Sequence, residues 1–356
     1  MTEYLKLTTY FGERRRTGGQ FLGEAILDLL AERRVAHSVL LRGVTGFGGR
    51  HRFRSDASLT LSEDPPVTIA ALDSAEVMTG VADEVIALMP RGLITLERSR
   101  LIISAATDFT VSHDDEIRLT IPLDRNRRID GTPAFAAACE LLSHHGFAGA
   151  TTFLGVDGTA DGVRRRARFF SRNLDIPLMV VAVGTVEQTR AALPELRALL
   201  GGALFTTERA RVCKRDGSLL RRPGALPKVD AGGRPLWQKL TVQTSEDTRR
   251  NGIPIHRILV RKLLKSGSAR GATVLRGVFG FTGDQKPRGD RVFQCGRQVP
   301  VSTVVIDSPE NVARIFDIID TATTETGLVT CETVPALLAL DGTEHGGVLE
   351  LAVPPY

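Results

Sequence analysis

The sequence predicts an α+β protein made of three tandem copies of one unit of about 110 residues. The first observation is a glycine that ends an apolar run and recurs as Gly43, Gly155 and Gly277, in the similar stretches AHSVLLRGVTGF, GATTFLGVDGT and GATVLRGVFGF. The second is spacing: a glycine lies 24, 24 and 25 residues before this anchor, and a proline lies 23, 22 and 23 residues after it. Because the landmarks stay in register in three places, one fold is expected three times.

The predicted units are unit 1 (residues 1–103), unit 2 (116–213) and unit 3 (236–338). Two polar connections, 104–115 and 214–235, join them. The second is rich in Gly, Pro, Arg and Lys, which is typical of an exposed linker. A tail, 339–356, contains an apolar segment at 348–353 that is expected to add one edge strand.

Unit 1 has a predicted order of strand, helix, strand, strand, helix, strand. Residues 4–11 alternate as in a strand, and 21–33 place apolar residues at helical spacing. A short strand at 39–44 leads into a glycine-rich, basic excursion at 45–58, and the remaining elements are a strand at 67–72, a helix at 75–89 and a strand at 93–97.

Units 2 and 3 repeat this order. The predicted strands are 117–122, 151–155, 178–183 and 204–208 in unit 2, and 240–244, 273–277, 301–306 and 328–332 in unit 3. The predicted helices are 134–143, 186–200, 255–265 and 311–323. This order is that of a ferredoxin-like unit, in which the turn after the first strand and the hairpin after the second lie at one edge of an antiparallel sheet. A ligand site is expected at that edge.

Composition excludes several classes of protein. No segment approaches the roughly 18 apolar residues that a membrane span needs, and the N-terminus lacks the apolar core of a signal peptide, so a cytoplasmic protein is expected. Four widely separated cysteines without paired histidines predict neither a disulfide framework nor a metal site. The net charge of +5 permits an anionic ligand without demanding one.

The turn after the first strand is the first candidate site. It carries arginines in every unit, and each turn leads into a helix whose free N–H groups attract anions. The candidate residues are Arg15, Arg16, Arg127, Arg128, Arg249 and Arg250. The alternative is a solvated charged turn whose acidic and basic side chains pair locally.

The end of the second strand is the second candidate site. In units 1 and 3 an arginine and the anchor glycine are followed by a second glycine and a phenylalanine: Arg42, Gly43, Gly46 and Phe47, and Arg276, Gly277, Gly280 and Phe281. An arginine directly after an apolar run is expected to emerge at the sheet edge. Unit 2 departs from the pattern at Leu154 and Thr159. The alternative is an arginine that forms a salt bridge with a neighbouring unit.

The remaining residues indicate no catalysis. The long basic hairpins at 45–58, 157–170 and 279–296 are expected to be functional or mobile, but they lack the aromatic platforms of single-strand binders, so nucleic-acid binding is not expected. No nucleotide-binding glycine loop opens a helix, and no nucleophile recurs beside a base. The recurring Glu97, Glu208 and Glu332, at the end of the fourth strand, are expected to be salt-bridge partners.

These motifs resemble the PII-like proteins catalogued as domain-of-unknown-function family 190. Unit 1 carries the resemblance in GER at 12–14, LRGVTGFG at 41–48, LSEDPPV at 61–67 and GLIT at 92–95. Unit 3 carries it in GATVLRGVFGF at 271–281, VPV at 299–301 and GLVT at 327–330. Unit 2 keeps GAT at 149–151 and IP at 176–177, but departs at Leu154 and after Gly158.

The resemblance implies a regulatory protein. PII relatives pack three ferredoxin-like units around a threefold axis, bind small effectors such as adenine nucleotides in the clefts between units, and contact a partner enzyme or transporter through their long loops. Three units on one chain are therefore expected to form a pseudo-trimer, as a monomer or a dimer of it, without a cofactor. Genes of the family tend to lie near membrane proteins of the fluoride-channel type, which makes a transporter or channel a candidate partner. The alternative is a scaffold protein without a small ligand.

Overall fold

The computed structural model describes residues 3–49, 53–55, 64–102, 115–166, 176–289 and 298–355. The chain is an α+β protein with the same six main elements in each unit. In unit 1 the strands are Glu3–Gly12, His37–Phe47, Pro66–Ser74 and Arg91–Leu101, and the helices are Leu22–Glu32 (α1) and Ala75–Leu88 (α2). Most predicted boundaries shift by one to four residues, because strands continue into neighbouring units.

Units 2 and 3 break the second strand into two pieces. The unit 2 strands are Glu116–Asp124, Gly149–Leu154 with Asp157–Ala160, Pro177–Thr185 and Thr206–Arg209, and its helices are Ala134–His144 (α3) and Val186–Leu200 (α4). The unit 3 strands are Trp237–Ser245, Ala272–Arg276 with Phe279–Thr282, Pro300–Asp307 and Leu328–Val334, and its helices are Ile255–Ser266 (α5) and Pro309–Ala322 (α6). Helix α4 has its predicted bounds, since Thr185 and Gln188 form a capping box at its start.

The remaining strands are short or lie outside the repeated pattern. Longer ones are Val163–Arg166, Arg211–Arg215, Ala336–Asp341 and Glu344–Val348. Two-residue strands are Arg16–Thr17, Gln20–Phe21, Arg54–Ser55, Arg128–Ile129, Thr132–Pro133, Ser218–Leu219, Arg249–Arg250, Ile253–Pro254 and Arg288–Gly289.

Each unit forms an antiparallel sheet in which the first strand lies between the third and the fourth, and the second strand pairs with the third. In unit 1, Leu7 lies opposite Ala71 of the third strand and Leu96 of the fourth. The same pairings occur in units 2 and 3. The first strand is therefore central in every sheet.

The two faces of each sheet have different neighbours. Leu5, Leu7 and Phe11 pack with α1 and α2 in the core of unit 1, and units 2 and 3 have corresponding cores. The alternate residues Lys6 and Thr8 point the other way, since side chains of a strand alternate between its faces. That second face meets the other two units rather than water.

The end of each second strand pairs with the second strand of another unit. We call these segments the strand-2 extensions: residues 43–47, Asp157–Ala160 and Phe279–Thr282. They pair with strands of unit 3, unit 1 and unit 2, respectively. Each unit is thus hydrogen-bonded to both others.

The fourth strand of each unit is paired with the end of another unit's fourth strand or with the strand that follows it. Arg100 and Leu101 pair with the fourth strand of unit 2, Arg211–Arg215 with that of unit 3, and Ala336–Asp341 with that of unit 1. These pairings satisfy backbone groups that an open sheet edge would expose.

The structure adds detail to two of these connections. Lys214, the first residue of the predicted linker, is buried and donates to Asp320 and to the Thr323 carbonyl, whereas residues 216–235 are exposed or half-buried except for Asp230. The tail adds its edge strand at Glu344–Val348 rather than at 348–353. The connection 104–115 lies outside the described residues except for Asp115. None of the helices in the described part of the chain is long and apolar enough to span a membrane.

Candidate functional site

A cluster of six charged side chains lies where the interior faces of the three sheets meet. Each unit contributes one cation from its first strand and the glutamate opposite it on the fourth strand: Lys6 and Glu97, Arg118 and Glu208, Lys239 and Glu332. We call these six residues the interior charge cluster. The three carboxylates lie within 4.8 Å of one another and all are buried.

Each cation of the cluster pairs with the glutamate of another unit. Lys6 contacts Glu208, Arg118 contacts Glu332, and Lys239 contacts Glu97. Two cations also approach the glutamate of their own unit, Lys239 at 2.9 Å from Glu332 and Lys6 at 3.9 Å from Glu97. The cations therefore supply the positive charge that a metal ion would bring to three clustered carboxylates.

The shifted pKa values reflect this compensation. Burial by itself would raise the pKa of Glu97, but Lys239 and Lys6 together outweigh it and lower the pKa to about 2. Burial would likewise lower the pKa of Lys239, whereas Glu332 and Glu97 raise it above its ordinary value. Glu97, Arg118 and Lys239 are therefore held in the charged form at neutral pH.

At the predicted sheet edge, Arg42 and Arg276 of the second strands pair with the turn after the first strand of their own unit. Arg42 contacts Glu13, and Arg276 contacts Glu246 at 2.6 Å. The prediction that these arginines emerge beside that turn is confirmed, and the partner belongs to their own unit rather than to a neighbour. The Arg276 side chain is 29% exposed and that of Arg42 is 62% exposed, so the unit 3 pair is better enclosed.

The unit 3 edge also contains a buried histidine. His256, on the first turn of α5, is 4% exposed, and burial together with Arg257, Arg276 and Arg249 lowers its pKa to about 4. It is therefore neutral at physiological pH. His256 Nδ1, Arg276 Nε and Glu246 Oε2 are buried and have no hydrogen-bond partner among the described residues.

The arginines of the turns donate hydrogen bonds to backbone carbonyls of their own units. Arg16, Arg128 and Arg249 occupy equivalent positions, and each donates to the carbonyl of the turn glycine three residues later, at 2.8–2.9 Å. Arg127 donates to the Gly201 carbonyl at the end of α4, and Arg250 donates to the Thr321 carbonyl. Arg15 lies half-buried in the unit 1 turn.

The recurring glycines and phenylalanines lie at contacts between units. A Cβ on Gly46 would lie 2.4 Å from the Ala272 carbonyl oxygen, and one on Gly280 would lie 2.1 Å from that of Ala150. A Cβ on Gly43 would lie 3.0 Å from the Val274 carbonyl oxygen, and one on Gly277 would lie 2.6 Å from the Thr151 methyl group. The Phe47 ring is buried in the core of unit 3, and the Phe281 ring in that of unit 2. These contacts explain the residue types; ligand binding there stays a prediction.

Unit 2 replaces this apolar contact with a polar one. Thr159, equivalent to Phe47 and Phe281, donates to the Ser38 hydroxyl at 2.9 Å. Its hairpin is held to α1 by Arg164, which contacts Asp28 and Asp157, and by Arg166, which contacts Glu24. The predicted hairpin residues 50–52, 56–58, 167–170 and 290–296 lie outside the described residues.

The prediction that the three glutamates are salt-bridge partners is confirmed, whereas the cations that pair with them were not predicted. A signal was present: Lys6, Arg118 and Lys239 lie 37, 37 and 38 residues before the anchor glycine. No recurring pattern marks His256, because Gly23 and Phe135 stand at the equivalent positions in the other units.

Comparison with known proteins identifies three copies of one family in the chain. The model of domain-of-unknown-function family 190 (DUF190), described as Uncharacterized ACR, matches residues 4–101, 116–212 and 237–336. A UPF0166 protein of Aquifex aeolicus (strain VF5) is 31% identical over 98 residues, which are 28% of this chain and 90% of that protein. That relative is therefore about as long as one unit.

Proposed function

The chain belongs to the DUF190 family in three tandem copies, and from that premise we propose that it is a PII-like regulatory protein that binds a small anionic effector between its units. The observation that carries the proposal is a set of polar atoms at the unit 3 edge that have no hydrogen-bond partner among the described residues: Arg276 Nε, Glu246 Oε2 and His256 Nδ1. Buried polar groups are normally hydrogen-bonded, so such a set favours a site that a polar ligand completes.

We propose a pseudo-trimer of ferredoxin-like units as the framework. Three kinds of contact support it: the strand-2 extensions, the pairing beside each fourth strand, and the cross-unit ion pairs. Each kind occurs once for every pair of units, as a closed ring requires. A relative of one-unit length would reach the same ring by assembling three chains.

The unit 3 edge lies beside unit 2 in this framework. Immediately after Arg276 the chain crosses to unit 2, and Val278 N–H donates to the Thr152 carbonyl at 2.8 Å. A ligand bound to Arg276 would therefore lie close to two units and could change how the hairpin after Val278 is held. Regulation requires such a difference in affinity between two arrangements.

The chemistry of the edge favours an anion. Three arginines surround the neutral His256, and α5 begins there, so the local potential is positive. An anionic group could replace the Glu246 carboxylate on Arg276 and accept from the free Nε. The protein would then control a partner through the hairpins between the second and third strands of its units. A membrane transporter or channel is the candidate partner.

Calorimetric titration and thermal denaturation with adenine nucleotides, cyclic nucleotides and bicarbonate test the proposal. A ligand at 100 times its dissociation constant should stabilise the fold by about 2.7 kcal/mol. Arg276→Ala should abolish the effect, whereas Arg33→Ala, which removes an arginine from an exposed ion pair with Glu84, should leave it unchanged. Absence of any stabilisation would contradict effector binding and favour the ligand-free scaffold.

A further inference from the structure

A cavity of about 90 Å³ lies between the three units, apart from the edge site. Equivalent strands of each unit line it, so that equivalent residues recur around it: Lys6, Arg118 and Lys239, and Thr8, Thr120 and Thr241. It is too small for a nucleotide, whose sites usually exceed about 300 Å³, and holds about three water volumes.

One part of the cavity wall is apolar, and another part carries positive charge. Leu41, Phe153 and Leu275, one from each unit, line it as members of an apolar cluster shared by the three units. The cations of the interior charge cluster line another part, whereas Glu97, Glu208 and Glu332 do not line it. The cavity therefore faces the positive side of three ion pairs.

Several hydrogen-bond donors line the cavity without a partner in the described part of the chain. Thr68, Thr151 and Thr330 are at most 3% exposed, and their hydroxyls have no hydrogen-bond partner among the described residues. Arg118 Nε is also unpartnered in the described part of the chain, although its Nη2 donates to Thr241 at 3.0 Å. Burial raises the pKa of Tyr10, which also lines the cavity, so its hydroxyl keeps its proton.

Unpartnered buried donors beside three cations suit an acceptor with negative charge. A neutral water cluster would satisfy the hydroxyls but would gain less from the cations, and a metal cation would be repelled by them. We propose that this cavity binds one small monovalent inorganic anion, of the size of a halide or nitrate, coordinated by the threonine hydroxyls and Arg118 Nε.

Bromide and nitrate are suitable probes. Crystals soaked in sodium bromide should show an anomalous scattering peak inside the cavity. In solution, chloride, bromide and nitrate should raise the midpoint of thermal unfolding saturably relative to sodium gluconate at equal ionic strength, because gluconate is too large to enter.

Matched threonine variants separate the cavity from a general salt effect. The double variant Thr151→Val with Thr330→Val removes two lining hydroxyls and keeps the side-chain volume. It should raise the dissociation constant of the anion at least about tenfold. Thr303→Val removes an equally buried and unpartnered hydroxyl that does not line the cavity, and should leave the response unchanged.

Two results would overturn the proposal: no bromide peak in the wild-type cavity, or an identical anion response in the double variant and in wild type. The effector titration at Arg276 is independent of both, since the cavity and the edge site share no residue.

Discussion

The interior face of the three sheets repeats its charges in every unit, whereas the edge where the second strands end does not. Inside, each unit supplies a cation and a glutamate. At the edge, units 1 and 3 have the pairs Glu13–Arg42 and Glu246–Arg276, and unit 2 has Arg125 and Leu154 at the equivalent positions. Both members of the pair have changed together in unit 2.

The difference follows from where the partners lie. A cation of the interior charge cluster pairs with a glutamate of another unit, so changing it in one copy leaves a buried carboxylate without its cation elsewhere. An edge pair lies within one unit and is partly exposed, so a copy can exchange both members without disturbing its neighbours. In these two places, the repeat keeps the charges whose partners lie in another unit and varies the pair whose members lie in one unit.

The largest expected effect comes from breaking the shared interior. Lys6→Met, Arg118→Met and Lys239→Met should each lower the free energy of unfolding by about 3–5 kcal/mol, because each leaves a buried carboxylate uncompensated. Chemical denaturation measures this change in the free energy of unfolding. Arg33→Met, which breaks an exposed ion pair, is the control and should have a far smaller effect. A loss below about 1 kcal/mol in the cluster variants would contradict its role in holding the units together.

The second-largest effect is a pH dependence of stability caused by His256, which distinguishes the unit 3 edge from the other two. The folded-state pKa of His256, about 4, is lower than the value of 6.5 in an unfolded chain, so the unfolded state binds a proton first as pH falls. Stability should therefore decrease from about pH 6.5 to about pH 4, by up to about 3 kcal/mol. His256→Phe, which copies Phe135 of unit 2, should remove this part of the pH dependence.

Denaturation of wild type and His256→Phe across that pH range separates the contribution of the histidine to the pH dependence from that of the carboxylates. Both proteins contain the same acidic residues, so a difference between their curves comes from His256. Parallel stability curves for the two proteins would show that His256 is not held neutral.

A smaller effect is expected at the contact of the strand-2 extension of unit 2. A Cβ on Gly158 would lie 2.0 Å from the Ser38 carbonyl oxygen, so Gly158→Ala should force units 1 and 2 apart and cost about 1–3 kcal/mol. Gly48→Ala is the matched control, because no described atom lies within 4 Å of its Cβ position. Equal stability of the two variants would indicate that the close approach is not maintained in solution.

The smallest effect on stability should come from restoring the edge pair in unit 2. Arg125→Glu with Leu154→Arg should change the free energy of unfolding by less than about 1 kcal/mol, since partly exposed pairs contribute little. If the edge pair forms part of an effector site, the double variant should bind the effector more tightly or at higher stoichiometry. Calorimetric titration of the double variant beside each single variant tests this; unchanged binding would restrict the site to unit 3 features such as His256.

The sequence alone was sufficient for the repeat, its register and most helix bounds. Apolar periodicity placed α1–α6, and α4 has its predicted bounds of 186–200. The position of Arg276 was also predictable, because the apolar strand before it ends there, whereas the strand that contains Arg42 continues to Phe47. Local spacing contains this information, since it determines which face a side chain occupies.

Only the tertiary structure decided what covers each face. Alternation placed Lys6, Arg118 and Lys239 opposite the apolar core, where exposed cations would be ordinary, but the other two units bury that face. Their glutamate partners in other units lie 202, 214 and 142 residues away in the sequence, respectively, and no local pattern specifies pairing over such distances. The interior charge cluster, the cavity beside it and the neutral His256 all depend on desolvation by other parts of the chain, which exists only once the units have packed.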